Sequence, residues 1–186
     1  MRRKDREMDR DFAYYVIDKS NFASLAVYDG SRIENIPLSI VREGDKLYFH
    51  SAQAGNKVEI FKSRPQVTIS FVTDLKIPNN YSPEELEAFK EDRSRAKELI
   101  SNVFTTEFAS ALVYGRLELV ESRQEQIQAM RLICEKYTGD KMDLFDLAIE
   151  AGLSRVNVYR ILISEISSKR KKYNREGIEL KYMKKE

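Results

Sequence analysis

The sequence predicts a mainly β (α+β) fold, a small, closed or partly closed antiparallel barrel of six strands with peripheral helices. Three observations lead to this fold. Short apolar strand patterns fill most of residues 22–72, a helical pattern interrupts them at about 82–101, and two long β-prone segments lie in the second half. A length of 186 residues suits a single domain, residues 1–186, with a basic C-terminal extension over 168–186.

Composition narrows the class of protein. The chain has 32 basic and 30 acidic residues, and this balance argues against a dedicated nucleic-acid-binding or membrane-surface protein. The one cysteine, Cys134, excludes an intramolecular disulfide and a cysteine-rich metal site, and no metal site is expected. The charged N-terminal segment is followed by no apolar stretch long enough to span a bilayer, so we expect a cytoplasmic protein without a membrane partner.

The first part of the chain reads as a helix followed by four strands. Asp9 or Asp11 is placed to cap a short amphipathic helix. Strand patterns then cover 22–28, 32–41, 46–51 and 66–72, with turn residues or a short helix between them. Pro37 removes a backbone donor from the second of these strands, which predicts a sheet edge, a bulge or a ligand beside it.

A helical insertion separates this part from the last two strands. Ser82 and Glu85 form a capping box at the start of a pattern that continues to about residue 101. The insertion could cover a site or a partner surface, but we favour packing on the barrel. The next strand, 105–121, contains Gly115, which predicts a bulge or a close backbone approach.

Ser122 and Glu125 predict a second capping box, at the start of a helix with one apolar face. Cys134 lies on that face and reads as a small core residue rather than a nucleophile. A further short helix is expected to end at Gly152.

Residues 146–162 allow two interpretations. Gly152 at a turn, Ser154 as a cap and a following apolar pattern resemble a helix-turn-helix, and the basic SKRKKYNR segment would suit DNA phosphates. However, residues 156–166 are dense in β-branched residues and tyrosine, which favours a strand. We interpret them as the last long strand and keep a DNA-binding regulator as a third alternative. The tail after Ser168 then lies on the surface or against a partner subunit.

The stretch LYFHSAQAGNKVEIFKSRP, residues 47–65, carries the most informative local pattern. A strand runs into His50, a loop of small residues ends at Gly55, and Asn56 and Lys57 open a short helix that Pro65 closes. A helix start after glycine offers unpaired N–H groups to a phosphate. The alternative is an ordinary loop with surface polar residues.

The chain resembles the FMN-binding split-barrel superfamily of pyridoxamine 5'-phosphate oxidase, and within it the 5-nitroimidazole resistance (Nim-type) flavoproteins. The matching segments occur in the family's order: MRRKDREM, IENIPLSIV, KLYFHSAQAGNKVEIFKSRPQVTISF, SALVYGRLELV and ISSKRKKYNREG. The resemblance covers nearly the whole chain and implies a split β-barrel that binds FMN at the interface of a homodimer.

The resemblance also assigns cofactor residues. The flavin ring would lie against the strand around Pro37, the phosphate near the loop before Lys57, and a later strand position would meet the cofactor. The implied residues are Asn35, Ile36, Pro37, Leu38, Ser39, His50, Ser51, Ala52, Gly55, Asn56, Lys57 and Ser110. Asn56 stands where the oxidases have arginine, so one phosphate-binding cation is missing.

His50, the only histidine, is the candidate catalytic residue. It is either a histidine at a strand end bonded to backbone or water or, as the resemblance implies, a group beside the isoalloxazine that orients a substrate or supplies a proton. We expect an FMN-dependent oxidoreductase of a small-molecule substrate, nitroreductase-like, with NADH or NADPH as a transient reductant. The alternative is a non-catalytic FMN carrier or sensor. Since no G-x-G-x-x-G fingerprint occurs, a nicotinamide nucleotide would only visit.

Overall fold

The computed structural model describes residues 3–174 and 178–181 of the chain. The strands in these ranges are β1 (Glu7–Met8), β2 (Ala23–Tyr28), β3 (Ile33–Leu38), β4 (Val41–Glu43), β5 (Lys46–Ala52), β6 (Gln66–Lys76), β7 (Glu107–Leu119) and β8 (Val156–Lys171). The helices are α1 (Arg10–Lys19), α2 (Asn56–Ser63), α3 (Pro83–Glu91), α4 (Ala96–Asn102), α5 (Arg123–Thr138) and α6 (Phe145–Gly152). None of these helices has the length and apolar character that crossing a membrane requires.

The strands form one antiparallel sheet in the order β3-β2-β6-β7-β8-β5-β4, with β1 paired to β8. The sheet curls without closing, so β3 and β4 are its two ends. The α+β split-barrel prediction is confirmed, and the structure adds two short strands, β1 and β4, to the six that were predicted. Pro37 lies in β3, at the edge where a missing backbone donor costs no ladder bond.

Strand β4 exists because the predicted strand 32–41 is interrupted at Ile40. The Tyr137 hydroxyl of α5 accepts a hydrogen bond from the Ile40 N–H at 3.0 Å and donates to its carbonyl at 2.9 Å. Lys136 donates to the same carbonyl at 3.0 Å. These contacts with α5 take the place of the backbone hydrogen bonds that Ile40 would make to a neighbouring strand. Since the partners lie far away in sequence, the apolar pattern of residues 32–41 did not reveal the break.

Two apolar clusters stabilise the sheet. The larger lies inside the curl under α1 and α2 and includes Ile17, Phe49, Phe61 and Tyr159. The smaller lies between the other side of β5 and α5 and includes Tyr48. Strand alternation produces both clusters, because successive side chains of β5 point to opposite faces of the sheet.

Most of the predicted local signals are confirmed. Asp9 caps α1 by accepting a hydrogen bond from the Phe12 N–H at 2.8 Å. Ser82 and Glu85 form a complete capping box at the start of α3. Ser122 caps α5, but the Glu125 carboxylate bonds Tyr48 and Arg160 instead of completing the second box.

Gly115 confirms the predicted bulge and close approach. The β7–β8 register shifts between Tyr114 and Gly115. A Cβ atom at Gly115 would lie 2.6 Å from Ile161 Cγ2 and 2.7 Å from the Leu162 carbonyl oxygen. Only glycine, which has no Cβ atom, lets the paired strands β7 and β8 approach each other this closely.

The helix-turn-helix alternative is wrong. Helix α6 ends at Gly152, and the segment that would have formed the recognition helix belongs to β8, Val156–Lys171, as the β-branched composition predicted. The strand is five residues longer than predicted, so residues 168–171 of the expected extension are sheet.

The helical insertion and the tail extend from this framework. The insertion is two helices, α3 and α4, joined by a 3-10 turn at Arg93–Arg95. The described tail residues lie along the N-terminal segment, where Glu179 pairs with Arg6 at 2.5 Å. The basic tail prediction also covers 175–177 and 182–186, which lie outside the described residues.

Candidate functional site

A cavity of about 290 Å³ lies where the edge strand β3 meets the start of α2. Its lining comes from two separate parts of the sequence, Glu34 and Ile36 of β3 and Gly55, Asn56, Lys57 and Ile60 of the loop and helix. The structure therefore brings the strand implied for the flavin ring together with the loop implied for the phosphate.

The loop before α2 has a backbone that glycine alone adopts easily. Gly55 has φ +118°, in the region that L side chains rarely occupy, and its carbonyl accepts a hydrogen bond from the Val58 N–H at 3.0 Å. A Cβ atom built at Gly55 meets no heavy atom within 4 Å, so the space above the loop is open. Gln53 anchors the loop by donating to the Ser154 carbonyl at 2.8 Å.

The start of α2 is electropositive. Gly55 provides no side-chain cap, so the N–H groups of Asn56 and Lys57 have no acceptor within the helix. Lys57 is half-buried and has no carboxylate at ion-pair distance in the described part of the chain. Glu34, across the cavity, is paired with Arg32 at 2.6 Å, which offsets its negative charge. The net local charge favours an anion.

Strand β3 presents different groups on its two faces. Ile36 faces the cavity, and Leu38 is buried in the core. Asn35 and Pro37 are exposed on the outer face, where Asn35 accepts a hydrogen bond from the Ser24 hydroxyl at 2.6 Å. Ser39 follows the strand and is half-buried. Because β3 pairs with β2 alone among the described strands, its other edge offers free backbone groups.

The three predicted residues at the end of β5 also alternate. Ser51 is 5% exposed and its hydroxyl donates to the Ala52 carbonyl at 2.9 Å, so that side chain is engaged in the interior. His50 and Ala52 are exposed on the opposite face. Partial desolvation of the imidazole and, second, the charge of Lys57 lower the pKa of His50 below its ordinary value of 6.5. Its ring is therefore neutral at pH 7.

The lowered pKa of His50 predicts a pH dependence of stability. Protonation of His50 is disfavoured in the folded chain, so the folded state loses stability relative to the unfolded state as the pH falls below about 6.5. His50→Gln is expected to remove this part of the acid destabilisation. Urea unfolding of both proteins between pH 7.5 and 5 measures it, and parallel pH profiles would contradict it.

Ser110 lies in a different place. It lines a cleft of about 480 Å³ on the outer face of the sheet, beside Ser70, Tyr114, Ser167 and Lys169. Strands β2 and β6 separate β7 from β3, so Ser110 does not reach the cavity of its own chain.

The geometry also reveals residues that the sequence pattern did not single out. Glu34 and Ile60 line the cavity, and Arg32 pairs with Glu34. The sequence spacing does place both residues on the right face: Glu34 lies two residues before Ile36 on one strand, and Ile60 lies one helical turn after Asn56. Neither spacing separates a ligand contact from ordinary packing.

Comparison with known proteins gives one family match. Residues 9–170 match the family model described as pyridoxamine 5'-phosphate oxidase. No curated protein sequence matches the chain.

Solved structures share the fold at low sequence identity. A candidate 5-nitroimidazole antibiotic resistance protein from Bacteroides thetaiotaomicron is 19% identical with a TM-score of 0.66, over 88% of this chain and 86% of that one. A FAD-binding protein from Mesorhizobium loti is 17% identical with a TM-score of 0.54, over 90% and 98% of the two chains. A FAD and heme binding protein from Mycobacterium smegmatis is 12% identical with a TM-score of 0.68, over 90% and 73%. At these identities the likeness concerns the fold.

Proposed function

The chain belongs to the pyridoxamine 5'-phosphate oxidase family, and we propose that it is an FMN-binding flavoprotein that acts as a small-molecule oxidoreductase. The observation that carries the proposal is the cavity between β3 and the start of α2. At one end it has Lys57, which pairs with no carboxylate in the described ranges, and at the other end an edge strand.

The start of α2 fits the phosphate of FMN. A dianion there would accept hydrogen bonds from the free N–H groups of Asn56 and Lys57 and pair with the Lys57 ammonium. The open space above Gly55 lets the backbone approach the phosphate closely. Asn56 supplies no second cation, so Lys57 carries most of the charge recognition in this chain.

The flavin ring would lie along β3, with Asn35, Ile36, Pro37, Leu38 and Ser39 beside it. The free edge of that strand supplies N–H donors and carbonyl acceptors at fixed positions, and Ile36 supplies an apolar contact. Such an arrangement orients a planar heterocycle through its ring nitrogens and oxygens. In the proposed site Ser51 and Ala52 shape the loop that leads to the phosphate.

We further propose that the site is completed by a second copy of the chain. A cavity of about 290 Å³ is small beside the roughly 300–1,000 Å³ usual for ligand pockets. One protomer therefore covers only part of a flavin nucleotide. The cleft that contains Ser110 offers polar side chains on the outer face of the sheet, and the partner's copy of this face would cover the exposed side of the flavin.

When bound, FMN supplies the redox chemistry, since it accepts a hydride and passes on one or two electrons. The protein positions the ring and controls access of substrate and water. His50 lies beside Lys57 and is neutral at pH 7, so an imidazole nitrogen is available to accept a proton. We assign NADH or NADPH as a transient reductant and a small molecule such as a nitroaromatic as the acceptor.

The first experiment is an absorbance spectrum of the purified protein, followed by titration of the flavin-free chain with FMN and FAD. We expect flavin absorbance bands, tighter binding of FMN than of FAD, and a higher melting temperature with FMN. A colourless protein that neither flavin stabilises would overturn the proposal, and a preference for FAD would replace FMN by FAD.

A second experiment separates an enzyme from a carrier. We expect anaerobic NADH or NADPH to bleach the flavin of the holoprotein, because a flavin held along the edge strand β3 would be open to a visiting nucleotide. A flavin that neither nucleotide reduces would favour the non-catalytic carrier or sensor.

A further inference from the structure

A second cleft, of about 650 Å³, lies between α1, the end of β6, the start of β7 and the end of β8. It shares no lining residue with the β3–α2 cavity or with the Ser110 cleft. Ile36, which lines the cavity, pairs with Leu25 of β2, and Leu25 pairs on its other side with Ile69 of β6. Ile69 is therefore level with the cavity across the sheet, whereas the first β6 residue that lines the second cleft is Asp74. Five residues of strand separate Ile69 from Asp74, roughly 17 Å. The two sites are therefore separate within one chain.

The second cleft has an excess of positive charge. Five cationic side chains line it, against the two carboxylates Asp74 and Glu107. Asp74 is already paired with Lys19 at 2.6 Å, and Glu107 accepts the Tyr173 N–H at 3.0 Å. The other four lining cations have no carboxylate at ion-pair distance among the residues that the structure describes; they are Lys76, Arg170, Lys171 and Lys172.

Arg170 holds a cation in a fixed position on the wall of this cleft. Its Nε is buried and has no hydrogen-bond partner in the described chain. One face of its guanidinium packs over the Phe12 ring, 5.9 Å from the ring centroid, which fixes the orientation of the group. A buried donor without an acceptor is unfavourable. Because this Nε is out of contact with solvent, a ligand in the cleft would meet the charge of the guanidinium rather than this nitrogen.

Lys171, at the same end of β8, adds to the unbalanced charge. It donates a hydrogen bond to the Thr105 hydroxyl rather than to a carboxylate. Desolvation and then the nearby Arg6 charge lower the pKa of Lys171. A bound anion would relieve this repulsion.

The cleft also has aromatic walls. Tyr15 is 41% exposed, and the Phe108 side chain is half-buried at the opposite side. The Tyr15 hydroxyl donates to Asp74 at 3.0 Å, which holds its ring in place at the cleft. Fixed, partly exposed rings beside cations suit a ligand that has both an aromatic base and phosphates.

We propose that this cleft binds a nucleoside phosphate. Arg170, Lys76 and Lys172 hold the phosphates, and the base stacks on Tyr15 or Phe108. A mononucleotide suits the cleft better than a nucleic-acid strand, because the cleft is confined and the whole chain has a net charge of only +2. This site is independent of the proposed flavin site and does not require that site to bind FMN.

Isothermal titration of the purified protein with ADP and with adenosine at low ionic strength tests the proposal. We expect one ADP site per chain, affinity that falls with added salt, and much weaker binding of adenosine. Arg170→Gln and Lys172→Gln are each expected to weaken ADP binding about 10- to 100-fold. Lys172 is exposed, so its variant keeps the test valid if Arg170→Gln fails to fold.

Two variants serve as controls. Lys141→Gln removes an exposed charge elsewhere and is expected to leave ADP binding unchanged. Lys57→Ala is also expected to leave ADP binding unchanged, whereas Arg170→Gln should leave FMN binding unchanged. The proposal is overturned if ADP does not bind, if adenosine binds as tightly, if Lys57→Ala rather than Arg170→Gln removes ADP binding, or if a DNA oligonucleotide binds more tightly than ADP.

Discussion

Lys57→Ala is expected to weaken FMN binding about 10- to 100-fold while changing riboflavin binding by less than about threefold. Hydrogen bonds to charged groups contribute about 1.5–3 kcal/mol, and this interaction exists only when the ligand carries the phosphate. Lys57 is the half-buried cation at the start of α2, and no carboxylate among the described residues lies at ion-pair distance from it, since Glu34 of the same cavity pairs with Arg32. Fluorescence titration of the flavin-free protein with both ligands measures the difference.

The same helix supplies a matched control. Lys62→Ala removes an equal charge from the exposed last turn of α2, where Lys62 pairs with Glu59 at 3.0 Å. Its effect on FMN should be small, because the charge lies away from the helix start. Equal losses for FMN and riboflavin in Lys57→Ala would show that the lysine does not meet the phosphate, whereas equal losses of FMN affinity in both variants would point to a general effect of charge.

Phe49→Ala is expected to lower the free energy of unfolding by about 3–5 kcal/mol, the cost of removing a large aromatic side chain from a packed core. Phe49 is fully buried and stacks on Tyr159 with ring centroids 5.2 Å apart. It also contacts the edge of Phe61 at 5.8 Å, which joins β5 to α2. Urea unfolding followed by circular dichroism measures the loss.

Phe104→Ala is the control for this substitution, since Phe104 is 78% exposed and its removal should cost less than about 1 kcal/mol. If Phe49→Ala cost no more than Phe104→Ala, the aromatic cluster would not be what holds α2 on the sheet. In a folded Phe49→Ala protein, we expect weaker FMN binding as well, because the helix start would no longer be fixed relative to β3.

Local signals were sufficient where the physical cause lies within a few residues. The helix caps are examples: each cap side chain accepts a hydrogen bond from the backbone N–H three residues later, so the sequence shows it directly. These caps are Asp9, Ser82 and Ser122. The β-branched run after Arg155 likewise predicted a strand rather than a recognition helix, and β8 confirms it. The close approach at Gly115 was predicted from the residue type alone.

Local sequence patterns gave the wrong prediction where a group far away in sequence determines the local structure. The break at Ile40 depends on Tyr137, 97 residues later, which satisfies backbone groups that would otherwise extend the strand. The Glu125 side chain does not bond the backbone N–H of Ser122, as a capping box requires. Its carboxylate accepts hydrogen bonds from the Arg160 guanidinium and the Tyr48 hydroxyl instead. Neither partner is visible from the local pattern.

The sequence alone determined the class of fold, the elements with strong local periodicity and the family resemblance. It also predicts the residues at the start of α2 that would hold a phosphate, and this stays a prediction. Tertiary structure decided which of these residues meet. It placed Ile36 beside Lys57, turned Ser51 into the interior and put Ser110 on another face. It also gathered Phe12, Asp74 and Arg170 into a second cleft. The reason is physical: periodicity specifies which face of a strand or helix a side chain occupies, whereas sheet order and curl, set by long-range packing, specify what that face meets.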